Sequence, residues 1–184
     1  MTFELNDKVF YPGQGVAVID GIIERVIAGN KAVFFKLKFV YKDVTVLIPT
    51  NKRNEAAGIR YLSSLAKIET AFNELYKIPC KKISASDYSP SSWNKRNKDY
   101  QLKIQGGDLI DIAKIYRDLM YSSRDKELSF GEKKILQTAK DLLVEEILLV
   151  RKERREEVIE KLQVPFQQLG FGGEFTQSTT SSIL

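Results

Sequence analysis

The hydrophobic repeat of this chain changes once along its length. From Lys8 to Pro49 apolar residues alternate or run in short Val- and Ile-rich stretches between turn residues, whereas from Ser89 onward they recur at helical spacing. A strand presents every second residue to one face and a helix every third or fourth, so neither half can take up the other's structure. The chain is therefore expected to be α+β with two domains: a small N-terminal antiparallel sheet and a C-terminal all-α helical bundle.

In the first half, Lys8 to Tyr11 is followed by Pro12-Gly13-Gln14-Gly15, a turn, and Val16 to Ile27 by the hairpin signal Gly29-Asn30. Ala32 to Val40 alternates around Phe35, Leu37 and Phe39, and Val44 to Ile48 closes the set. Short strands at this spacing predict a strongly bent sheet of the SH3 or Tudor type. Such a sheet has edge strands, and an unpaired edge can accept a strand from another protein. Asn51 to Gly58 reads as a polar loop and Ile59 to Leu62 as a last short strand. Ser63 or Ser64 then caps a helix with Leu65, Ile68, Ala71, Phe72 and Leu75 on one face, ending before Pro79.

The domain boundary falls between Lys77 and Ser89, giving an N-terminal domain over 1–77, a linker over 78–88 and a helical domain over 89–163. Ser89 caps a helix that has Pro90 at its first position and stops at Gly106-Gly107. Asp108 caps a second helix, with Leu109, Ile112, Ala113, Tyr116, Leu119 and Met120 on one face. Ser129-Phe130-Gly131-Glu132 is a capping box opening a third, with Ile135, Leu136, Ala139, Leu142, Leu143, Ile147 and Val150 at helical spacing. The charged run Arg151 to Glu157 either continues that helix or begins a short separate one. From 164 to 184, and in Gln167 to Leu184 above all, Gly, Ser, Thr and Gln content predicts a flexible tail.

Composition closes several classes of function. The chain of 184 residues contains no histidine, the commonest general base and metal ligand, and Cys80 is its one cysteine, read as a small buried hydrophobe. No metal site, cofactor or enzymatic activity is expected. No apolar run approaches the roughly 20 residues of a membrane helix, and the N-terminus lacks a secretory signal, so a cytoplasmic protein is expected. Net charge is +5. Between Lys81 and Ile104 six Lys or Arg stand against two Asp, so the excess lies around the one tryptophan, Trp93.

An apolar ring leading a basic helix can press into a nucleic acid while Lys95, Arg96 and Lys98 hold the backbone. The same pattern also fits a core tryptophan with lysines on the solvated side. Tyr100 and Asn97 share the helical face of Trp93, one aromatic and one polar, and do not decide between the two. Arg25, among apolar neighbours in its strand, reads by itself as an ordinary exposed residue. Gly13-Gln14-Gly15 lacks the lysine and hydroxyl end of a phosphate loop and is a tight turn. Asp108 with Asp111 and Glu145 with Glu146 read as caps or surface pairs.

Taken in order, these features resemble the CarD family of bacterial RNA polymerase-binding transcription regulators. The residues that carry the resemblance are Asp7-Lys8-Val9-Phe10-Tyr11-Pro12 with Gly15, the hairpin reaching Arg25, Thr45-Val46-Leu47-Ile48-Pro49, Gly58-Ile59-Arg60, Trp93-Asn94-Lys95-Arg96, and Leu128-Ser129-Phe130-Gly131-Glu132-Lys133. The resemblance implies a Tudor-like module that sets an exposed strand against the β subunit of RNA polymerase, with Arg25, Thr45 and Leu47 at the contact. Some family members have arginine where this chain has Leu47. It further implies that the helical half binds promoter DNA, without strict sequence preference, at the upstream edge of the bubble. There Trp93 would act as a minor-groove wedge and Lys95, Arg96 and Lys98 would hold phosphates. The expected function is a nucleoid-associated regulator that stabilises the promoter open complex, with no membrane or small-molecule partner. The alternatives are an architectural DNA-binding protein without a polymerase tether, and an accessory protein related to the polymerase-binding module of transcription-repair coupling factors.

Overall fold

The computed structural model describes residues 3–50, 58–79 and 90–167. Five strands, β1 (Lys8–Tyr11), β2 (Gly15–Ile27), β3 (Asn30–Phe39), β4 (Thr45–Pro49) and β5 (Arg60–Tyr61), form one antiparallel sheet in the order β4-β3-β2-β1-β5. The strand-rich half is thus a sheet, as the period of two requires. The β2–β3 connection is shifted by one residue from the expected Gly29-Asn30: Asn30 pairs with Ile27, and the turn is Ala28-Gly29, both at positive φ. Positive φ at both central residues is the geometry whose twist matches the flanking strands.

Alternation divides neighbouring residues of the sheet between two cores. Val9, Ala17, Ile19, Phe35, Leu37, Phe39 and Ile48 pack with Phe3 on one face of the sheet. Phe10 and Val16, one position along from Val9 and Ala17, turn to the other face and join the helical core.

Five helices follow: α1 (Leu65–Leu75), α2 (Pro90–Gly106), α3 (Leu109–Asp125), α4 (Phe130–Arg151) and α5 (Arg155–Gln167). Ser64 caps α1 by accepting from the Lys67 N–H, Asp108 caps α3, and Ser129 with Glu132 forms the capping box of α4. Ile68, Ala71 and Leu75 of α1 join the same core as α3 and α4, so this helix packs with the helical body. The expected linker lies mostly outside the described residues, as do Cys80, the Ser89 cap, the loop at 51–57 and the tail from 168.

Two expectations are corrected. Residues 164–167 are not tail: Pro165 and Phe166 are buried in the last turn of α5, and the Phe166 ring meets Tyr116 and Tyr121 edge-on at 5.8 and 6.0 Å. One large aromatic with a vacant slot in the bundle outweighs the polar composition around it. The second concerns Glu145 and Glu146, which are not surface pairs but buried at 4% and 0% exposure. Helix α4 lies between the sheet and the other helices, so the face carrying them is covered as well. Glu146 takes two hydrogen bonds from the Arg60 guanidinium, at 2.6 and 2.8 Å, and one from the Ser63 N–H.

Candidate functional site

At the sheet end, the register sets Lys38 opposite Thr45, Lys36 opposite Leu47 and Phe34 opposite Pro49, while Arg25 stands opposite Ala32. Counting in twos along β3 puts Arg25, Thr45 and Leu47 on one face, the face opposite the sheet core. Thr45 and Arg25 are exposed and Leu47 half-buried, with half-buried Ile23 and Phe34 between them. The result is an apolar strip rimmed by a guanidinium and by the Lys36 stem, which suits protein docking. Strand β4, paired to β3 on one side, is an edge strand of the sheet.

At the helical end, Trp93 occupies the first turns of α2 and is half-buried. Its ring rests on the start of α4: a Cβ at Gly131 would come within 3.0 Å of the Trp93 Cζ2 atom, so only glycine lets the indole lie this close. Tyr100, two turns on, is buried, and burial pushes its phenol up to about 12. It anchors α2, so the indole is held by packing and not only by its own helix.

The basic residues around the indole divide. Lys95 and Lys98 are exposed and, among the described residues, neither meets a carboxylate. Arg96 is half-buried: its guanidinium carbon lies 6.0 Å from the indole centroid, and its Nη2 lies 3.8 Å from Glu132. Arg96 therefore braces the tryptophan against α4, while the two lysines stand exposed beside it. Burial raises the Glu132 carboxyl, but hydrogen bonds from Lys126 and from the Ser129 N–H and hydroxyl outweigh it and hold the group below the usual carboxylate range. Glu132 thus stays ionised as the counter-charge to Arg96 at neutral pH.

Residues 3–63 match the family model of the CarD-like/TRCF RID domain, and residues 82–163 match that of the CarD C-terminal domain. The chain belongs to the CarD family. It is also similar to a Bacillus subtilis (strain 168) protein named "Putative transcription factor YdeB", with 25% identity over 149 residues that span 81% of this chain and 92% of that relative. The expected fold, a Tudor-like sheet followed by helices, is the one observed. The class of function is that of the CarD family, transcription regulation.

One residue of this CarD-family surface escaped the sequence reading. Phe130, directly after the Ser129 cap, is 85% exposed and adjoins the Gly131 on which Trp93 rests. No local signal separates it from a core residue: Leu109, in the same place after the Asp108 cap of α3, is fully buried.

Proposed function

We propose that this protein tethers to the RNA polymerase β subunit through its sheet and stabilises the promoter open complex through Trp93. The polymerase-binding part comprises residues 1–77 and the DNA-binding part residues 89–163. Strand β4 offers its open edge to a strand of the polymerase, and Arg25, Thr45 and Leu47 contact it from the adjoining face. The Trp93 indole enters the minor groove at the upstream edge of the bubble, with Lys95 and Lys98 on phosphates and Arg96 steadying the ring. The observation that carries this reading is the partly buried indole, fixed against Gly131 beside two exposed lysines that meet no carboxylate among the described residues.

Wedging costs a few kcal/mol of unstacking, least where the duplex is already opening, so it favours the open state over the closed one. A preference of about 1.4 kcal/mol enriches the open complex about tenfold. Accordingly, Trp93→Ala should shorten the open-complex lifetime on a linear promoter fragment by about tenfold at that preference, with retention on the isolated β fragment unchanged. An unaltered lifetime would rule out the wedge.

Arg25→Glu should do the reverse. Exchanging a cation for an anion on the docking face should weaken β-fragment binding in a pull-down and leave affinity for free DNA as it was. Equal retention would place the docking face elsewhere and favour an architectural protein without a tether.

A further inference from the structure

Trp93, Asn97, Gln101 and Gln105 follow one another at intervals of four along α2, so they form a stripe on the helix surface about 18 Å long at ~1.5 Å per residue. The last three line a cleft of about 550 Å³ that α2 shares with the Pro12–Gln14 turn and the first turns of α4. Gln14 and Lys134 complete its polar wall, Ile104 and Ile135 supply an apolar floor, and no Asp or Glu lines it. Gly131, on which the indole rests, lines it too, so the cleft begins where Trp93 ends. Among the described residues the carboxamides of Asn97, Gln101 and Gln105 have no hydrogen-bond partner, and Lys134 has no carboxylate.

A row of unengaged carboxamides over an apolar floor has a narrow chemical meaning. Each amide offers both donors and an acceptor, which match the pairing edge of any base. Apolar side chains take the face of a base, and a lone lysine takes a phosphate. In a duplex the pairing edges are occupied; they become available when the strands part. From Asn97 to Gln105 the row is ~12 Å long, which fits about three or four nucleotides stacked at ~3.4 Å each.

From this geometry we infer that the cleft is a single-strand track: one strand, released where Trp93 parts the duplex, lies along Asn97, Gln101 and Gln105 with its backbone at Lys134. The inference rests on the wedge reading and deepens it, because the track binds the open state and not the closed one. It adds to the differential affinity that the indole already supplies. Carboxamides that bond any base also suit a regulator without strict sequence preference.

The test uses the full chain and two dye-labelled probes, a short duplex and the same duplex opening into a single-stranded arm of mixed sequence. The wild type should bind the forked probe about a hundredfold more tightly than the duplex, about tenfold from the wedge and about tenfold from one or two well-made base contacts. Asn97→Ala/Gln101→Ala/Gln105→Ala should lose about tenfold of that preference, leaving the wedge's share, while keeping its duplex affinity. The exposed pair Gln101→Ala/Gln105→Ala, which disturbs no buried side chain, should show a smaller loss in the same direction. If the triple variant melts like the wild type and keeps the full preference, the track is wrong and the wedge stands. If the wild type binds the duplex but shows no preference for the fork, the track is likewise wrong. If the wild type binds neither probe, the wedge reading falls, and the track with it.

Discussion

Glu146→Ala is expected to destabilise the protein by about 3–5 kcal/mol, the range for removing one partner of a buried ion pair. Helix α4 carries this carboxylate into the joint between the two halves, where it is fully buried. The Arg60 guanidinium holds it from β5 while also donating to the Gly107 carbonyl, at 2.8 and 2.7 Å, and lying 4.1 Å from the Phe10 ring centroid. One arginine thus ties the sheet, the α2–α3 corner and α4 together. Without the carboxylate, the guanidinium and the Ser63 N–H lose their acceptor in a place water reaches poorly, and that orphaning carries most of the loss. At ~2–4 °C per kcal/mol for a chain of this size, the melting temperature should fall by about 10 °C. Arg60→Met/Glu146→Leu should recover much of it, since no charge is left without a partner. A single variant melting within about 2 °C of the wild type would show that the joint is held by apolar contacts alone. The joint also bears on function. A polymerase tether places Trp93 at a defined distance only if sheet and helices move together, so a folded but loosened variant should hold the β fragment normally and shorten open-complex lifetime.

The elements were legible in the sequence because each has a clean local signal: the period of two, the alternation around Phe35 and Leu37, the Asp108 cap and the Ser129–Glu132 box. The joint was not, because its residues are related only through the fold. Glu145 and Glu146 sit in a helix whose neighbours Leu142, Leu143, Val144, Ile147, Leu148 and Leu149 nearly encircle it. A helix apolar all round is a buried one, and a carboxylate inside it requires a cation from elsewhere. That rule would have pointed to a partner without naming Arg60. Trp93 was legible as a candidate and illegible as to exposure, since its helical face mixes Asn97 with Tyr100. The structure resolves this by burying Tyr100 and leaving the indole half open on Gly131. For Phe166, the Gly- and Ser-rich sequence after it masked a single aromatic contact that composition cannot register.

Gly15→Ala is expected to cost about 3 kcal/mol, and comparison with Gly29→Ala separates its two causes. Both glycines have positive φ, +104° at Gly15 and +81° at Gly29, so alanine strains the backbone at either position by about 1 kcal/mol. At Gly29, the tip of the β2–β3 hairpin, an added Cβ meets nothing within 4 Å, so strain is the whole effect there. At Gly15 the added Cβ collides with the Glu145 carboxylate and lies 3.6 Å from Leu142 Cδ2. Glu145 is nearly inaccessible, and it accepts from the Val16 N–H; burial raises its carboxyl above the usual range despite that bond and the nearby Lys42. Pushing it aside leaves both the Val16 N–H and the carboxylate poorly satisfied, a further loss of about 2 kcal/mol. Urea unfolding of the two variants measures the difference directly. Equal losses would mean that Glu145 swings clear without cost and that the β2–α4 contact depends on Val16 and Leu142 alone. A larger loss at Gly15 would identify the absent side chain as the condition for α4 to lie against the sheet.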